Sequence, residues 1–150
     1  MWLTTPKEAL TLMIFKQKEI TVKAPKRGFF VITDEILSSI DISDINVGMM
    51  NLFLKHTSAS LTINENVSPD VRVDMENISN NLIPDGYIYE HSLEGKDDMP
   101  AHFKSSMFGV SLNIPITNGR LNLGTWQGIY LNEHRDYPTG RNIVITVYGQ

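Results

Sequence analysis

Apolar and polar residues alternate with period two in several short runs of this chain, and β-forming side chains fill them. Glu19–Ala24 (EITVKA) predicts a first strand. Lys26, Arg27 and Gly28 form a turn into a second, FFVIT. Thr33 or Asp34 then caps a helix through Ile36, Leu37 and Ile40, which stand at helical spacing. VGMMNLFLKHTSASLTINEN reads as one long β-type run, apolar on both faces at its start, as in a central strand. In SPDVRVDMENISNNLIP the period changes to that of a helix. Ser68 is a good N-cap, Pro69 suits the first helical position, and Val71, Met75, Ile78 and Leu82 make an apolar stripe. Residues 87–98 read as loop, and Pro100 opens a second short helix, PAHFKSSMFG, closed by Gly109.

The turn signal Asn118-Gly119 stands between alternating runs and predicts a two-residue hairpin of type I′. It pairs Thr117 with Arg120, Ile116 with Leu121 and Ile114 with Leu123. Pro115 has no N–H for a ladder, so its nitrogen should face an edge or solvent. GIYLNEH and NIVITVYG complete the set. Strands outnumber helices and do not alternate with them, which predicts an α+β fold: a largely antiparallel, β-rich core with two or three helices.

The 150 residues suit a single domain, and 41% hydrophobic with 20% charged residues is ordinary globular composition. The net charge of −4, without a basic run, argues against a nucleic-acid partner. The absence of cysteine excludes disulfides, thiolate catalysis and Cys-ligated zinc. The apolar run Ala9–Phe15 is too short to span a bilayer and lacks the flanks of a signal peptide. The expectation is an N-terminal arm over residues 1–16, a domain over 17–150, no membrane partner and a cytoplasmic location.

Three polar clusters stand out against this background. His56 precedes Ser58, Ser60, Thr62 and Asn64 at strand spacing, which places all five on one face of an unbroken strand. His134 ends GIYLNEH, with Glu133 pointing the other way. His102 lies in the first turn of the second predicted helix, after the pair Asp97-Asp98. A lone histidine is ordinarily a hydrogen-bonded strand-end residue. Three on separate elements also make a candidate divalent-metal set, His56, His102 and His134, with Glu133 or Asp98 orienting a ring. His91 is left out, because its loop is nearly all acidic. Asp97 and Asp98 either favour a helix N-terminus or hold Mg²⁺. Lys104 and Arg135 either pair with acids or meet an anionic substrate. Ser105 and Ser106 cap or donate to phosphate, and Trp126 is core or pocket wall.

Together, HTSASLTINEN, DDMPAHFKSS, NGRLNLGTWQGIYLNEHR and VITVYG closely resemble the YjbQ family, in the same order and over about residues 17–150. Its members are small proteins long classed as of unknown function and sometimes labelled secondary thiamine-phosphate synthases. The resemblance implies a YjbQ-like α+β fold, a homotrimer and a site drawn from the three motifs. On this reading Asp98, Glu133, Arg135 and Lys104 act on the substrate. Thr57, Ser58, Ser60, Asn64, Ser105, Trp126 and Gln127 bind it, and His56, His102 and His134 hold zinc or magnesium. The implied substrate is a small phosphorylated metabolite. The reaction would join a pyrimidine diphosphate to a thiazole phosphate. The alternatives are a non-enzymatic trimeric metal- or anion-binding protein and a metal-dependent phosphate-ester hydrolase.

Overall fold

The structure is a computed structural model and describes residues 12–150. Residues 9–11 of the run Ala9–Phe15 lie outside the described residues, and its last two residues, Ile14 and Phe15, open a strand. The first strand, β1, spans Ile14–Val22, so the expected boundary after residue 16 falls within it. It is followed by β2 (Gly28–Val31), helix α1 (Thr33–Ser39), β3 (Val47–Leu54) and β4 (Ala59–Glu65). Then come α2 (Pro69–Leu82), α3 (Asp98–Phe108), β5 (Ser111–Thr117), β6 (Arg120–Leu121), β7 (Gln127–Glu133) and β8 (Arg141–Gly149). The fold is α+β, and all strand pairs are antiparallel.

Two sheets share these strands, one of five in the order β1-β8-β3-β5-β6 and one of three in the order β2-β7-β4. Alternation sets their inner faces. Met50, Leu52 and Leu54, Ile114 and Ile116, and Ile143, Ile145 and Val147 come from the larger sheet. Ala59, Leu61, Ile129 and Leu131 come from the smaller one. With Ile36 from α1 they form one buried cluster, so the sheets pack as a sandwich around a common core. Helix α3 packs on β4 and α2 on β2, covering the other face of the small sheet.

The long run from residue 47 is not one strand. Residues 55–58 leave the five-stranded sheet, and β4 joins the three-stranded one. His56 therefore does not share a strand face with Ser60, Thr62 and Asn64. The backbone amide of Lys55 is still tied to the Asn142 carbonyl at 3.0 Å, whereas the Ser58 carbonyl already meets His134 N at 3.3 Å, just past β7. The chain changes sheets within those few residues.

Several local expectations meet small corrections. Ser68 and Pro69 do begin α2, but the Ser68 side chain makes no capping bond. The Glu65 carboxylate receives the Val67 and Ser68 amides instead. The stripe on α2 is only half-buried at Val71 and Met75, and Ile78 and Leu82 are exposed. The Thr33 hydroxyl accepts from Ile129 N at 3.0 Å rather than capping α1. Helix α3 starts at Asp98, two residues before Pro100, which is tolerated in a first turn because its N–H would lack a partner there.

The hairpin forms as predicted, with positive φ at Asn118 (52°) and Gly119 (76°). Ile116 pairs with Leu121 and Thr117 with Arg120, and the ladder stops there, short of Ile114 and Leu123. Pro115 accepts from Asn122 N, so its nitrogen points the same way, to the side where the ladder frays. A Cβ at position 119 would lie 2.9 Å from the Ser43 carbonyl oxygen. Gly119→Val should therefore lower stability by about 1–3 kcal/mol, from the left-handed backbone and this contact. An unchanged urea midpoint would refute that reading of the turn.

Candidate functional site

The earlier start of α3 places Asp98 and His102 four residues apart, on one face of the helix. Asp98 is fully buried, and its carboxylate is the hub of a cluster. Oδ2 lies 2.8 Å from His91 Nε2 and 3.1 Å from His102 Nε2. Oδ1 receives Arg135 Nη1. Arg135 also donates to Asp97 Oδ2 at 2.9 Å and to the Glu94 carbonyl at 2.9 Å, which ties the 83–97 loop to the end of β7. Burial opposes ionisation of Asp97. The Asp136 amide and Arg135 outweigh it and hold the carboxyl below its usual range.

His102 Nδ1 lies 2.7 Å from the Thr57 carbonyl oxygen. A carbonyl only accepts, so Nδ1 carries the proton, and neutral His102 turns a bare Nε2 lone pair towards Asp98 Oδ2. A cation between them resolves that opposition, either a second proton on the ring or a metal ion. The ligand atoms of His91, Asp98 and His102 all lie within 4.8 Å of one another. A ring N–H on a backbone carbonyl and a carboxylate held by arginine are the supports that metal ligands commonly have. The residues fit a divalent ion.

The expected trio of histidines does not converge. His134 sits in a separate buried layer between the small sheet and the helices. Its Nε2 is 2.8 Å from Ser60 Oγ, and its ring stacks on Phe108 at 5.7 Å. Burial, with Lys104 next and then Arg27 and Arg141, pushes its pKa down to about 3. Asn132 donates to the Ser60 and Thr62 hydroxyls, both at 3.0 Å. The His134 ring is neutral, hydrogen-bonded to Ser60 through Nε2, and its buried Nδ1 has no partner among the described residues. His91 takes the place expected for His134. No local pattern marks it, because its position depends on how the acidic loop folds back.

His56 is also no ligand to this cluster. Its Nε2 accepts the Asn142 amide at 2.8 Å, and burial, then Arg141, lowers its pKa. With Thr57, His102, Ser105 and Ser106 it lines an open cavity of about 580 Å³ beside the cluster.

Two expected cations are committed elsewhere. Lys104 is fully buried and donates to Asn80 Oδ1 at 2.6 Å; burial, then Arg27, lowers its pKa. Arg135 serves Asp97 and Asp98, as above. Glu133 is fully buried and binds Arg141 rather than a histidine ring. Ser58 contributes its carbonyl to Arg141 Nη2 at 3.2 Å. Asn64 and Gln127 lie at the far end of the β4–β7 ladder from Ala59 and Glu133, about 20 Å away at strand rise. Trp126 is neither core nor cavity wall: it is 63% exposed at that same end, its carbonyl receiving Asn66 N.

The fold and cluster define a small two-sheet α+β protein with a His–Asp–His centre on the rim of a cavity. The family model for the UPF0047 protein YjbQ-like family matches residues 18–150, and the chain belongs to that family. It is 51% identical over 135 residues to the UPF0047 protein YjbQ of Escherichia coli O157:H7, covering 89% of this chain and 98% of that one. It is 38% identical to the UPF0047 protein YugU of Bacillus subtilis (strain 168), over 88% and 98% of the two chains. Among solved structures, a conserved hypothetical protein from Thermus thermophilus superposes with a TM-score of 0.74 at 33% identity, over 85% of this chain and 97% of that one. A protein of unknown function from Sulfolobus solfataricus shares the fold, with a TM-score of 0.82 at 23% identity over 93% and 100%.

Proposed function

We propose that this protein is a small metal-assisted enzyme acting on phosphorylated metabolites. The observation that carries the reading is the convergence of His91 Nε2, Asp98 Oδ2 and His102 Nε2, with His102 also lining the adjacent cavity. Two imidazole nitrogens and one carboxylate oxygen suit zinc or another first-row transition ion better than magnesium, which prefers oxygen. A bound ion would supply Lewis acidity towards a phosphoryl oxygen. The Thr57 carbonyl fixes the His102 tautomer, and Arg135 fixes the Asp98 carboxylate.

Within this class, joining a pyrimidine diphosphate to a thiazole phosphate, as a secondary thiamine-phosphate synthase would, calls for two anionic subsites. With Lys104 and Arg135 committed elsewhere, the cavity lining carries neither lysine nor arginine among the described residues. That favours the simpler chemistry of phosphate-ester hydrolysis. Self-association as a homotrimer belongs to the same proposal. The exposed apolar residues Phe15, Val47 and Phe53 on strands of the large sheet support it.

Zinc retained after desalting, measured by mass spectrometry, tests the reading alongside phosphate release from a panel of phosphate esters and thiamine-phosphate formation. Asp98→Asn should weaken zinc binding by roughly 100-fold or more and lower turnover with it. Full zinc uptake by the Asp98→Asn/His102→Ala double variant would sink the metal centre. A zinc-loaded wild-type protein without turnover would favour the non-enzymatic binding protein.

A further inference from the structure

We infer that His56 is a fixed-tautomer hydrogen-bond donor, and that the cavity it lines takes a phosphate-type oxyanion bound at once to the metal ion and to His56 Nδ1–H. The inference rests on the metal reading above and extends it to the mode of substrate binding.

The tautomer follows from one contact. The Asn142 backbone amide lies 2.8 Å from His56 Nε2, and an amide N–H only donates. Nε2 must therefore present its lone pair, and the neutral ring carries its proton on Nδ1. A protonated ring nitrogen has no lone pair for a metal, so His56 cannot act as a ligand in this state. Its donor is nevertheless available. Among the described residues Nδ1 has no hydrogen-bond partner, and it is not among the enclosed polar atoms left without one.

The cavity completes the picture. His56 and His102 both line it, so the donor shares one space with one of the three candidate ligands, while His91 and Asp98 lie outside the lining. Ser105 and Ser106 line it too, and among the described residues no charged side chain does so unless a histidine is protonated. A free phosphate dianion would meet only neutral donors there, which are weak compensation for its lost hydration. A metal-bound oxyanion has its charge offset by the ion and needs donors for its remaining oxygens. A neutral N–H of fixed direction meets that need, because it requires no reorganisation as charge develops. Anion binding should therefore depend on metal binding, whereas metal binding should not depend on His56.

The test uses inorganic phosphate and full-length protein loaded with zinc, excess ion being removed by desalting. Calorimetry should show phosphate binding to the zinc-loaded form and none to the metal-free form. His56→Ala should retain its zinc and lose phosphate affinity by roughly tenfold or more, the loss expected for a hydrogen bond to a charged group. His56→Gln should recover much of that affinity, since its carbonyl can accept from Asn142 and its amide can donate. Nitrogen-15 shifts of His56 should report protonated Nδ1. Equal phosphate affinities of wild type and His56→Ala would overturn the assignment and leave the metal reading standing. So would loss of zinc from His56→Ala, or protonated Nε2. Failure of the wild-type protein to take up zinc overturns the metal reading itself and the metal-bound oxyanion with it.

Discussion

Arg141→Met should be among the most destabilising single substitutions in the protein, at about 3–5 kcal/mol. Arg141 on β8 donates from Nε to Glu133 Oε1 at 2.9 Å and from Nη2 to Oε2 at 2.5 Å, on β7 of the other sheet. Glu133 is fully buried and Arg141 nearly so. Truncating the arginine strands a carboxylate where water cannot reach it, and the penalty is that of an uncompensated buried charge, not merely of two lost hydrogen bonds. The double variant Glu133→Leu/Arg141→Met removes both charges and should regain most of the loss. Urea midpoints at unchanged m-value read both effects. A single-variant loss under about 1 kcal/mol would show that the pair is not the inter-sheet clamp the geometry makes it.

Acid should act strongly through His134. Its folded pKa of about 3 lies below the ordinary 6.5, chiefly because burial disfavours the charged ring. Between those values the unfolded chain binds more protons than the native one, so stability rises with pH in that window. The His134 contribution is undiminished above about pH 6.5, falls by about 1.4 kcal/mol per pH unit below it, and levels off near pH 3 after a loss of about 4–5 kcal/mol. His134→Asn should flatten the slope between about pH 4 and 6 by roughly that 1.4 kcal/mol per unit, whatever it does to absolute stability. A ring that titrates near pH 6 by NMR in the folded protein would contradict this.

The parts of this fold legible in the sequence are those whose signals are local. Asn118-Gly119 specified a turn because both residues tolerate positive φ, and it formed. Ser68-Pro69 marked the start of α2, and the final alternating run became β8. The crossing at residues 55–58 was hidden because its residues continue a β-like pattern; only tertiary pairing shows that β3 and β4 serve different sheets. The same break moved His56 off the face of Ser60. Pro100 read as a helix start, although it also fits two residues further in, and that shift is what stacks His102 above Asp98. His91 carried no periodic signal at all. Its role depends on a loop closing over the helix, which no pattern of hydrophobic spacing encodes. Lys104 and Arg135 were recognisable as cations, but whether they met substrate or neighbouring protein groups was a question of packing.

The His91, Asp98 and His102 cluster has a bearing on how the chain assembles. Its three members fall within a twelve-residue stretch, residues 91–102. The cavity beside it is non-local, since His56 reaches Asn142 across 86 positions and Thr57 reaches His102 across 45. Closing short loops loses less entropy than closing long ones. The three candidate ligands can therefore meet early, with a captured ion drawing the acidic loop onto the first turns of α3, and Arg135 and the Thr57 carbonyl fix them in place as the sandwich closes. The cavity is complete only when the last strand is in place, because the Asn142 amide holds His56. On the proposed metal reading, a nascent chain would hold its ion before it could hold a substrate, and chemistry would be withheld until folding is complete.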